Sequence, residues 1–61
     1  MFTYTVFAST TLSGPVASHV SLQRAKEILD LLKARAAVEW VCIVRHTDGY
    51  AIISHCWQRD K

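Results

Sequence analysis

The chain has 61 residues, of which 51% are hydrophobic and 20% charged, with a formal net charge of +2, two cysteines, two glycines and one proline. That length admits one domain over residues 1–61, and a domain so small hides only about 60% of the surface its unfolded chain exposes, so a disulfide, a metal or a second copy usually reinforces it. The composition excludes general disorder, the charge excludes an acidic nucleic-acid mimic, and no apolar run approaches the roughly 20 residues of a membrane-spanning helix.

The first stretch, "MFTYTVFAST", lacks the basic n-region of a secretory leader, which points to the cytosol and to free thiols at both cysteines. From Phe2 to Ala8 the chain alternates, with Phe2, Tyr4, Val6 and Ala8 on one side and Thr3, Thr5 and Phe7 on the other. This is the period of a strand. Residues 9–20, small and centred on Gly14-Pro15, predict a long connecting loop in which His19 is a surface residue.

The segment "SLQRAKEILDLLKARAAV" predicts a helix. Ser21 is the expected N-cap. Leu22, Ala25, Ile28, Leu29, Leu32 and Ala36 fall on one stripe, with Leu31 off it, and the opposite side is polar. Lys26 and Asp30 are spaced for a solvated i,i+4 pair.

"EWVCIVRHTDGYAIISHCW" predicts a hairpin around Asp48-Gly49. A two-residue type I′ turn pairs Thr47 with Tyr50, so that Cys42 faces His55 and Trp40 faces Trp57. A three-residue loop pairs His46 with Tyr50 instead. Both turns leave both faces of the hairpin apolar. The expected fold is α+β, a single βαββ domain with a three-stranded antiparallel sheet in the order 1-3-2, the second hairpin arm lying between the first strand and the first arm. One helix then covers one face.

A single helix cannot cover both faces of a sheet, so the second apolar face needs another cover: a second copy, a partner or the 9–20 loop. Protein binding is the function this suggests. The expected contact residues are Trp40, Arg45, Tyr50, Trp57 and Arg59, types that anchor interfaces, and a homodimer is expected from the chain's size. The alternative is nucleic-acid binding through Arg24, Lys26, Arg45 and Arg59, with sheet aromatics stacking on bases. Neither metal, cofactor nor catalytic residue is expected. A four-ligand zinc site within one chain fails on spacing, since His46 lies roughly 13 Å along the strand from Cys42. A Cys42–His55 pair lacks both an orienting acid and an oxyanion hole.

"VSLQRAKEILDLL" followed by "VEWVCIVRHTDGYAIISHCW" resembles the small β-α-β-β proteins of bacteriophages and mobile elements, including type I-F anti-CRISPR proteins. Those share a strand, a Ser-Leu-x-x-Ala-Lys helix start and a hairpin. The resemblance covers residues 20–57. It implies a stoichiometric inhibitor, acting in the cytoplasm of a bacterial host, that occludes a host or defence protein without chemistry of its own.

Overall fold

In the computed structural model, which describes residues 2–10 and 14–60, the chain forms β1 (Thr3–Ala8), β2 (Ala17–Val20), α1 (Leu22–Lys33), β3 (Trp40–Thr47) and β4 (Tyr50–Gln58). The fold is α+β, with one helix on a four-stranded antiparallel sheet in the order β2-β1-β3-β4. The expectation of three strands in the order 1-3-2 is corrected on both counts. Residues 11–13 of the expected loop and the tail residue Lys61 lie outside the described residues.

The physical cause is β2. In place of a featureless loop, Ala17–Val20 pairs antiparallel with β1, Tyr4 opposite Val20 and Val6 opposite Ala17. Val16 adds a backbone bond to the Val6 carbonyl at 2.7 Å. The chain has thus already reversed before α1. The strand that follows the helix therefore runs antiparallel to β1 and pairs with it directly, Val6 opposite Ile43 and Ala8 opposite Val41. No second hairpin arm is needed between them. β2 spends three residues where β1 spends two, and the extra residue is a bulge at His19, whose φ of 54° is in the left-handed region. Histidine is among the side chains that tolerate that region better than most.

Ser21 caps α1 as expected, its hydroxyl accepting from the Arg24 N–H at 3.2 Å. Ala25 and Leu32 are buried, Leu22, Ile28 and Leu29 pack at the margin of the core, and Leu31 remains 64% exposed. The ion pair on the polar side joins Arg24 and Glu27 at 3.3 Å, three residues apart, rather than Lys26 and Asp30. The helix ends at Lys33, so Ala36 lies beyond it and is exposed. Carrying the helix on would hold Val38 away from the sheet. Instead the chain turns, with Val38 bonding back to the Arg35 carbonyl at 3.2 Å, and Val38 joins Val6, Val41 and Ile43 among the fully buried side chains. Burying a valine contributes about 1.5–3 kcal/mol, more than another half-turn of exposed helix offers.

With no glycine to close the helix, its terminal carbonyls need another donor. Arg59 supplies it from beyond β4. Its guanidinium donates to the carbonyls of Lys33 at 3.2 Å and Arg35 at 2.8 Å, and its Nε to that of Val38 at 3.0 Å. Arg59→Ala should therefore lower unfolding free energy by about 1–3 kcal/mol, from several charge-assisted bonds lost together. Urea denaturation followed by circular dichroism measures this, and an unchanged midpoint would show that the bonds contribute nothing net.

Candidate protein-docking face

The ladder fixes which side chains share a face. Tyr4, Val6 and Ala8 of β1 and Val41 and Ile43 of β3 turn toward α1 and form the core. Their neighbours in sequence turn the other way. Thr3, Thr5 and Phe7 stand beside Cys42, Val44 and His46, on the side opposite the helix.

The Asp48-Gly49 loop has two residues, Thr47 pairing with Tyr50, but it is not the expected type I′ turn: Gly49 has φ of 87° while Asp48 keeps a negative φ, where type I′ needs both positive. That register holds through Val44, which pairs with Ile53. Then Ile43 pairs with His55, leaving Ser54 as an extra residue. The resulting bulge moves every later partner by one position. Cys42 faces Cys56 rather than His55, Val41 faces Trp57, and Trp40 faces Gln58 rather than Trp57. The two cysteines form a disulfide, their Cα atoms 4.2 Å apart. The expectation of free thiols is corrected, because the bulge brings to one face two cysteines that an unbroken ladder would put on opposite faces.

The uncovered face thus carries Trp40, Val44, Ala51, Ile53 and the Cys42–Cys56 bridge, flanked by Phe7 on β1. By the pairing, no lysine, arginine, aspartate or glutamate is among its described residues. Ile53 is 66% exposed and Trp40 41%. At one end, Thr5 and the His46 Nε2 are hydrogen-bonded at 2.6 Å. The His46 ring stacks on that of His19 at 5.1 Å between centroids, and His19 Nδ1 lies 3.2 Å from the Thr3 hydroxyl. The His19 bulge thus carries that ring from β2 onto the uncovered face, a placement no sequence period foretold.

The expected contact residues are divided. Trp40 lies on the uncovered face. Tyr50, 65% exposed, lies on the helix side of β4, where the helix backbone does not reach. Trp57 is also on the helix side but packs against the core, with the Arg59 guanidinium 5.1 Å and the Lys33 ammonium 5.8 Å from its ring. Arg45 is on the helix side too, its guanidinium 4.8 Å from the Phe2 ring and its Nε buried without a partner among the described residues. Trp57 and Arg59 are taken up by the fold itself. Arg24 and Arg59 serve opposite ends of the 12-residue helix, separated by on the order of 15 Å, and Lys26 is exposed on its solvent side. These cations form no single patch with Arg45.

Among the described residues no group of three or more histidine, cysteine, aspartate or glutamate side chains is placed to hold a metal ion. No described helix is long and apolar enough to cross a membrane. Compared with protein-family models, curated proteins and solved structures, the chain matches none.

The disulfide closes a loop of 14 residues' separation, a constraint worth about 3 kcal/mol on the unfolded chain. Replacing both Cys42 and Cys56 by alanine should lower stability by about that amount, and reductant added to the native protein should do the same. Thermal unfolding with and without reductant measures it. Curves that coincide would show that the bridge contributes no stability.

Proposed function

We propose that this protein is a non-enzymatic protein-binding module that docks its target on the sheet face opposite α1. The observation that carries this reading is the face itself: apolar from Phe7 and Trp40 across to Ile53, with Thr3, Thr5, His46 and Gln58 at its ends, and among the described residues uncharged and without an element packed on it. An open antiparallel sheet ordinarily turns a polar side to water, and an exposed apolar patch of this kind marks a contact site. Trp40 is the anchor, with Phe7 and Ile53 around it. Tyr50 and Arg45, which the ladder turns to the helix side, stand outside this contact, and Trp57 and Arg59 hold the scaffold. The target is a bacterial host or defence protein, a reading that rests on the resemblance of residues 20–57 to phage-type inhibitors and that makes the chain a stoichiometric occluder; the Cys42–Cys56 bridge does not favour the reducing cytoplasm as the meeting place. Nucleic acid is the less favoured partner, because Arg24, Lys26, Arg45 and Arg59 are dispersed and the pairing puts no described lysine or arginine on the open face itself.

Tagged protein used as bait in nuclease-treated bacterial lysate should retain one protein near one-to-one. Trp40→Ala should lose it without changing the far-ultraviolet circular dichroism. The fold-bearing Trp57→Ala should instead lower the unfolding midpoint. A target retained equally by Trp40→Ala would remove the open face from the reading, and retention of nucleic acid with steep salt dependence would transfer the function to that partner.

A further inference from the structure

β4 is an edge strand of nine residues, and "YAIISHCWQ" contains no lysine, arginine, aspartate, glutamate or proline. Those are the residues with which monomeric sheets keep their edges from pairing. The opposite edge is handled differently, being only four residues long and kinked by the His19 bulge. β4 has a bulge as well, at Ser54, but only the β2 edge is also short, and β4 keeps a long edge without charge or proline.

The backbone groups that β4 points outward follow from the ladder. The two-residue turn makes Thr47 and Tyr50 a hydrogen-bonded pair, and alternation makes Arg45 and Ile52 the next. Ala51 and Ile53 therefore direct their N–H and C=O groups away from β3. Beyond the bulge, Arg59 N donates to the Glu39 carbonyl at 2.8 Å, so Val41–Trp57 and Ile43–His55 are the bonded pairs. Cys56 and Gln58 then point outward, in agreement with the short 4.2 Å Cα spacing of Cys42 and Cys56.

The outward positions are thus 51, 53, 56 and 58, with intervals of two, three and two residues. This series is the same in both directions. An ordinary strand repeats every two residues and would fall out of register across the bulge. A second copy of β4, antiparallel and related by a two-fold axis, carries its bulge at the matching place. We propose that the protein self-associates through this edge, Ala51 pairing with Gln58 of the partner subunit and Ile53 with Cys56 of the partner subunit. The product is a continuous eight-stranded sheet with the symmetry of an isologous dimer.

The exposure of the strand agrees. Every residue of β4 except Trp57 is solvent-exposed. Pairing uses the backbone edge and not the open face, so it stands whether or not a target docks there.

Sedimentation equilibrium of the purified protein, with no target present, tests it. At about 100 µM the mass should be twice the 6.9 kDa of one chain, and amides of Ala51, Ile53, Cys56 and Gln58 should exchange slowly and lose that protection on dilution. Ala51→Pro removes an outward N–H that β3 does not use, so it should give a folded monomer. Ile53→Lys, which sets two like charges beside the axis, should give the same result without touching the backbone. A 6.9 kDa species at that concentration, rapid exchange at the four amides, or a dimer whose mass neither variant changes would overturn the proposal.

Discussion

The Val16 amide donating to the Val6 carbonyl, with Val20 pairing against Tyr4 behind it, turns the chain round before it reaches Ser21. Everything after that point inherits the reversal. The strand leaving the helix arrives antiparallel to β1 and takes the place beside it, so the Val41–Ile43 side of β3 meets Val6 and Ala8 to complete the core. β2 and β3 then run parallel with β1 between them, a split β-α-β unit. The hairpin's second arm, with nothing to separate, is left at the outside.

An uncovered surface follows from dimensions alone. A helix is about 10 Å across and strands are about 4.8 Å apart, so one helix shields about two strand spacings. Centred on β1, α1 reaches β2 and β3 and leaves β4 beyond its span. Tyr50 and Ile52 on the helix side are exposed for that reason, and Ala51 and Ile53 because they lie on the face that α1 does not cover at all. The apolar content of the hairpin therefore exceeds what the fold can bury, and the excess is concentrated where a partner or a second copy can reach it.

Ser54 has the largest effect of any single residue on the candidate site. One extra residue in β4 exchanges the faces of everything from His55 to Gln58. It draws Cys56 to Cys42 and turns Trp57 inward against the core, beneath Arg59. Without it, Trp57 would stand on the open face beside Trp40 and the cysteines would be on opposite sides. The hydrophobic pattern of "AIISHCW" gives no sign of the interruption, because both faces of that segment are apolar and a slip by one residue leaves the pattern unchanged.

Local chemistry alone determined the Ser21 cap, the amphipathic stripe from Leu22 to Leu32, the position of the reversal at Asp48-Gly49, and the surplus of apolar surface on the hairpin, while two registers for that reversal stayed open. These depend on backbone conformations and periods that short stretches impose by themselves. Tertiary structure decided the rest. It made Ala17–Val20 a strand, because a four-residue segment of middling propensity forms only where β1 offers bonding groups. It also ended the helix before Ala36 so that Val38 could be buried, gave Arg59 to the carbonyls of Lys33, Arg35 and Val38 at and beyond the helix end, and placed the bulge at Ser54. Each of those depends on partners many residues distant, whose contribution to free energy exists only once the sheet has formed.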